Sequence, residues 1–263
     1  MISFMKNAAE NKLLNIIRRR QLSSDARQDA ARSVYQHMLT NSRLCKDGNF
    51  KEICNADLGL LFHVTDEQYF DGHVGRLCEQ KASRPLSFRL STRMTTSGGM
   101  TTMQTLKQRH SRSVEFEIAI ATTPLFATFQ DETTALVSGL ACKDRLEALQ
   151  RIMEHEMVHL IEMLIWNDSN CSANPFKTIV NRFFGHTESN HQLMTPRDIA
   201  KKRLGISPGD VVTFKMEGQQ FKGHVNRITK RATILVADPR GKLYDDGQKY
   251  HKYYVPLQNL KRA

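Results

Sequence analysis

Cysteine is scarce in this chain and follows no pattern. Cys45, Cys54, Cys78, Cys142 and Cys171 are five in number, widely spaced and without a C-x-x-C, which excludes a disulfide framework and a zinc ribbon and fits a reducing compartment. Long apolar runs are missing too: no stretch approaches the roughly 20 apolar residues that span a bilayer. The first twenty residues form a short amphipathic stretch ending in Arg18-Arg19-Arg20, without the continuous apolar core and small-residue cleavage site of a secretory signal. The expectation is a cytoplasmic protein with no membrane partner.

Negative charge is also in deficit. Against 38 Lys and Arg stand 27 Asp and Glu, for a net charge of +11 and a pI near 9.6, a balance that favours contact with polyanions. The excess is uneven. Residues 201–263 carry 14 basic against 5 acidic side chains and residues 1–45 carry 8 against 3, whereas 46–200 carry 16 against 19. Composition is otherwise ordinary, 40% apolar and 25% charged over 263 residues, which excludes disordered and fibrous classes and leaves room for a buried core.

Periodicity divides the chain into three parts. In residues 1–45, Leu13, Leu14, Ile16, Ile17 and then Ala30, Ala31, Val34, Met38 recur at helical spacing, with Ser23 and Ser24 as break and cap; two helices in a basic flank are expected. Within 46–200, Leu86, Phe88, Leu90 and then Val114, Phe116, Ile118, Ile120 alternate with polar residues, predicting strands of one antiparallel sheet around a Ser97-Gly98-Gly99 turn. From Lys143 to Trp166 the period is 3.6, predicting a long buried helix, and Phe176–Phe184 predicts another, stopped by Gly185. Residues 201–263 contain short strands between Gly-rich turns, as in a small barrel. The expected class is α+β: N-terminal helices, a sheet-and-helix domain and an all-β C-terminal module.

Chemistry concentrates at His155-Glu156-Met157-Val158-His159. In a helix, i and i+4 stack on one face, so both imidazoles reach one metal, while Glu156 lies about 100° around the axis and serves as a proton acceptor rather than a ligand. A zinc ion so held lowers the pKa of a water towards about 7 and polarises a carbonyl, which suits hydrolysis of a peptide bond. Chance would produce H-E-x-x-H only about 0.02 times in a chain of this composition. The alternative is a pair of surface histidines on an amphipathic helix.

Leu61-Phe62, Tyr69-Phe70-Asp71-Gly72, the Met94–Met103 segment around Gly98-Gly99, His155-Glu156-x-x-His159 and the helix beginning Phe176-Lys177 together resemble the SprT-like metallopeptidases, the family that includes Spartan. The resemblance covers about Asn49 to Thr195. It implies a zincin-like fold, a zinc-dependent protease and a link to proteins on DNA, including DNA–protein crosslinks. One departure is clear. Where those proteins open the next helix with the histidine of H-G-x-x-F, this chain has Ser172 in Ser172-Ala173-Asn174-Pro175-Phe176.

The third ligand therefore stays open among His186, His191, Cys171 and Glu162. His186 is preferred, since Gly185 lets the chain turn back towards the metal, and His191 is next. Glu162 sits on the same rigid helix and suits a supporting role, and thiolates such as Cys171 are commoner in structural zinc sites. The Thr-rich segment Ser91–Thr105, flanked by Arg89 and Arg93, is the expected sheet edge for an extended protein substrate; an exposed hairpin is the alternative.

The C-terminal segment is similar to SH3-like barrels of the KOW and Tudor kind. Lys222, Arg227, Lys230, Arg231, Lys242, Lys249 and Lys252, interleaved with Phe221, Tyr244, Tyr250, Tyr253 and Tyr254, suit phosphate contact with base stacking, and DNA is the expected partner, with nucleoid association as its cellular counterpart. Two functions follow: a zinc endopeptidase acting on DNA-associated proteins, or a non-catalytic nucleic-acid or ribosome-associated binding protein with a structural zinc site.

Overall fold

The two periodicities build two separate cores. The computed structural model describes residues 8–108, 111–131, 133–190 and 192–263, and the chain divides into two units, Met1–Leu193 and Met194–Ala263. Both helix and strand are present, so the class is mixed α and β. No helix among the described residues is long and apolar enough to cross a membrane.

The first unit begins with α1 (Ala8–Arg19) and α2 (Ser24–Asn41), parted where the Ser23 side chain accepts a hydrogen bond from the Ala26 amide. Leu13, Leu14, Ile17, Val34 and Met38 join the same core as the rest of the unit. The separate basic flank ending at 45 is thus corrected: two short helices cannot bury their stripes alone, and these find their partners in the first unit. Helices α3 (Asn55–Phe70) and α4 (His73–Lys81) follow, hinged at Asp71-Gly72, both with positive φ. Arg20, from the basic run after α1, holds this hinge by an ion pair to Asp71 at 2.6 Å.

Strands β1 (Ser87–Ser91), β2 (Gly99–Gln108) and β3 (Ser111–Ala121) form a sheet in the order β1-β3-β2. β2 and β3 are antiparallel, but β1 runs parallel to β3, so the expected all-antiparallel sheet is in fact mixed. Alternation is blind to strand direction, since its period of two is the same in both ladders. Burial decided the order: Phe116, Ile118, Ala119, Ile120 and Ala121 are all buried, which gives β3 the centre and leaves β2 at an edge.

After α5 (Thr122–Asp131) and the small hairpin β4 (Ala135–Val137) and β5 (Leu140–Cys142) comes α6 (Arg145–Trp166). It is buried nearly all round, with apolar residues from Leu146 to Ile165 packed in the core and the polar Gln150, Glu154, Glu156 and Glu162 buried among them. Asp144 caps its start by accepting from the Glu147 amide, and Asn167, with φ 57°, ends it. Helix α7 (Asn174–Phe184) closes at Gly185 in the left-handed conformation.

In the second unit, α8 (Pro196–Leu204) places Ala200 in the core of a five-stranded antiparallel sheet, moving the boundary expected at 200/201 to 193/194. The strands are β6 (Val211–Met216), β7 (Gln219–Ile228), β8 (Ala232–Leu243), β9 (Lys249–Val255) and β10 (Lys261–Arg262), ordered β10-β6-β7-β8-β9. Bulges between Val225 and Arg227 and between Ala237 and Lys242 bend the central strands.

Candidate metal centre

Helix α6 carries the motif residues on a rigid, doubly capped rod. The two Nε2 atoms of His155 and His159 face each other at 3.2 Å. Two imidazoles on one tetrahedral zinc, at about 2.0–2.1 Å each, would lie about 3.3 Å apart, so the spacing suits a shared ion. Phe176, at the start of α7, packs on both rings with centroids 4.8 and 4.5 Å away, fixing them from behind.

The proton on His159 can be located from its partners. Its Nδ1 lies 2.6 Å from the Ser169 Oγ, and the Ser169 hydroxyl donates to Glu162 Oε2, also at 2.6 Å. A hydroxyl has one proton, so Ser169 must accept from the His159 Nδ1–H, which leaves Nε2 with the lone pair a metal needs. Burial holds the His159 pKa down to about 4, keeping the ring neutral at pH 7. Glu162 also accepts from the Asn170 amide at 3.2 Å, which pins the loop after α6. Its role is the supporting one, with the Ser169 hydroxyl between it and the ring.

That loop brings Cys171 to the site. Ligand atoms of His155, His159 and Cys171 lie within 4.8 Å of one another, against about 3.6 Å for the N···S distance around a tetrahedral zinc. The imidazoles are already at coordination spacing, and a thiolate needs to move by about 1 Å to join them. Cys45, Cys78 and Cys142 differ in kind: each is buried, which pushes its thiol up to about 12.

Glu156 occupies the next face of the helix. The Thr101 hydroxyl of β2 lies 2.8 Å from the Glu156 Oε2 and 2.9 Å from the Glu156 main-chain carbonyl, sharing its one proton between them, and burial pushes this carboxyl up to about 7. Gly99 sits against the same carboxylate, where a Cβ would come within 2.6 Å of Oε1. This close approach is what requires glycine there. A cavity of about 470 Å³ opens over the site, lined by Gly98–Thr101, His155, Glu156, His159 and Cys171, with Val137, Ile152 and Met163 adding apolar lining.

His186 goes elsewhere, which corrects its assignment as a ligand. Its Nε2 is 2.9 Å from Glu154 Oε2 in a buried cluster, where Arg151 Nη1 also reaches both Glu154 oxygens at 2.8 Å and Gln150 Nε2 reaches Oε1 at 3.0 Å. Gly185 does turn the chain sharply as expected, but a fully buried carboxylate demands compensating donors, and Glu154 takes the imidazole. Burial opposes ionisation of Glu154, yet the Arg151 charge and the His186 bond outweigh it and hold the carboxyl below its usual range. His191 lies outside the described residues.

The expected substrate edge is split by the sheet. β2 is the outer strand beside the cavity, but Arg89 lies on β1 at the opposite edge, paired with Glu117 at 2.9 Å. In the second unit, Phe221 and Tyr253 face the core, with ring centroids 5.4 Å from Phe214 and 4.9 Å from each other, and are not stacking platforms. Tyr250 donates to Asp246 at 2.9 Å, Tyr244 lies beneath Lys252, and Tyr254 is exposed. Thr101, Ser169 and Phe176 are site residues that spacing does not reveal. Phe176 stands at the phenylalanine of the resembled H-G-x-x-F and Thr101 within the expected edge segment, but neither position alone gives its role, and Ser169 lies in the polar run after the motif helix.

No family model, curated protein or solved structure matches the chain.

Proposed function

We propose that the first unit is a zinc-dependent endopeptidase of the SprT-like kind, with a zincin-like fold. The observation that carries this reading is the pair of imidazole nitrogens 3.2 Å apart beside a buried carboxylate on the wall of an open cavity. His155, His159 and Cys171 would hold the ion. A divalent zinc supplies Lewis acidity, lowering the pKa of a water and polarising the scissile carbonyl.

The remaining work belongs to the chain itself. Glu156, in a dry setting that keeps its proton affinity near neutrality, takes a proton from water and passes it to the leaving amine. Thr101 holds Oε2, so that the carboxylate keeps one orientation through both transfers. The Ser169–Glu162 pair fixes the His159 tautomer and plane. The outer edge of β2 offers main-chain hydrogen bonds to an extended polypeptide, a contact with little side-chain selectivity. DNA-associated proteins are the substrate class that the family resemblance and the basic charge favour.

Cys171 favours a second reading, since thiolates are commoner in structural zinc sites. Glu156 argues against it, because a structural site has no use for a buried proton acceptor. Zinc-loaded protein incubated with an unfolded polypeptide separates the two. Cleavage that chelators stop, and that Glu156→Gln abolishes while retaining zinc, supports the peptidase. Full zinc occupancy without any cleavage overturns it.

A further inference from the structure

The register of the second sheet sorts side chains that the sequence alone leaves mixed. Phe214 opposite Phe221, Val225 opposite Ile234 and Ile234 opposite Tyr253 define the inner face. The outer face then follows by alternation. Thr213 lies opposite Lys222; Arg227, Thr233 and Tyr254 form one row across three strands; His224 and Lys252 flank Leu235 in the next, with Leu235 itself buried. Lys215 continues the outer row of β6.

Two properties of this face stand out. None of its paired positions on β6 to β9 carries Asp or Glu, so cations predominate on it, with one acid at its border, Asp246, which accepts from Tyr250 and lies near His224. At one end stands Tyr254, 57% exposed, on the outermost of these strands, with Lys252 beside it on the same face and Arg227 two strands away. Adjacent strands are about 4.8 Å apart, so Arg227 and Tyr254 are separated by about 10 Å, within reach of neighbouring nucleotides for side chains of their length.

We propose that this face binds single-stranded nucleic acid, with Lys215, Lys222, Arg227 and Lys252 on phosphates and Tyr254 stacked against a base. A row of cations alone would suit any polyanion. An exposed aromatic ring among them suits a strand whose bases are unstacked, and serves neither a duplex nor an acidic peptide as well. Sequence preference is weak in such a contact, because every base offers a ring face. This inference does not rest on the peptidase reading, and its test needs no catalysis.

The test is fluorescence anisotropy with the full chain and labelled 20-nucleotide oligothymidylate and oligouridylate. Both single strands should bind, and a duplex of equal length should bind less tightly. Tyr254→Ala should weaken binding by about 5- to 150-fold, the range for losing one stacked base, whereas Tyr254→Phe should retain it. Lys222→Ser/Arg227→Ser should flatten the slope of log affinity against log salt by about 1.4. The charge-matched control Lys230→Ser/Arg231→Ser, which alters the β7–β8 turn, should have a clearly smaller effect. Because all these positions are exposed, unfolding midpoints should stay close to that of the parent. Equal losses from the face and turn variants, unchanged binding by Tyr254→Ala, tighter binding to duplex, or displacement of the oligonucleotide by polyglutamate at equal charge would each overturn the proposal.

Discussion

The two units use charge in opposite ways. In the first, 23 Lys and Arg face 21 Asp and Glu, and key charges are matched locally: Arg151 with Glu154, Arg20 with Asp71, Arg89 with Glu117. In the second, 15 face 6, and the outer sheet face carries cations without an acidic residue among its paired positions. Internal charges on the motif helix organise a site; surface charges mostly of one sign create a field. The net charge of the whole chain conceals this division.

The two units part most sharply at Glu156, the proposed general base. Glu156→Gln should reduce peptide hydrolysis by about 10²- to 10⁴-fold, the usual contribution of a general base, while leaving oligonucleotide affinity unchanged. Steady-state cleavage and anisotropy on the same preparation check both halves. If the variant also lost nucleic-acid binding, the functional separation of the units would fail.

Next in size is the buried cluster. Arg151→Ala leaves the Glu154 carboxylate in the core without its main counter-charge and should cost about 3–5 kcal/mol of stability, read from urea unfolding. Since the folded pKa of Glu154 is depressed, its stabilisation is present above the ordinary carboxylate value of 4.5 and is lost as pH falls through the lower folded value. Glu154→Gln should therefore flatten the acid limb of the stability curve, whereas removing a surface lysine such as Lys222 should not change it.

Ser169→Ala breaks the link between Glu162 and His159. Zinc affinity should fall by about 10- to 100-fold, measured by competition with a chromogenic chelator. Ser169→Thr keeps the hydroxyl and should restore most of it. The smallest change expected is that of cleavage with salt: between 50 and 200 mM, hydrolysis of a free, unfolded polypeptide should change little, in contrast to oligonucleotide binding, which weakens steeply.

Local features of the site are legible in the sequence. The motif helix, its i and i+4 histidines, the intervening glutamate and the stop at Gly185 all depend on neighbours within a turn or two, which spacing reports directly. Which side chain stands beside the two histidines depends on where loops go. His186 is drawn to Glu154 by the need to compensate a buried charge 32 residues earlier, and Cys171 reaches the cavity because Asn170 and Ser169 anchor their loop to Glu162. Such choices are set by tertiary contacts, not by periodicity. The same holds in the second unit, where a Tyr-Tyr pair divides between core and solvent: Tyr253 packs on Phe221 and Tyr254 faces out, and only strand register tells them apart.

Zinc K-edge X-ray absorption on the zinc-loaded full chain reads the composition of the proposed metal centre. One sulfur neighbour at about 2.3 Å and two imidazole nitrogens at about 2.0–2.1 Å are expected, with the sulfur lost in Cys171→Ser and the spectrum unchanged in His186→Ala. A sphere of three imidazoles that loses one in His186→Ala, or a chain that binds no zinc at this motif, would contradict it.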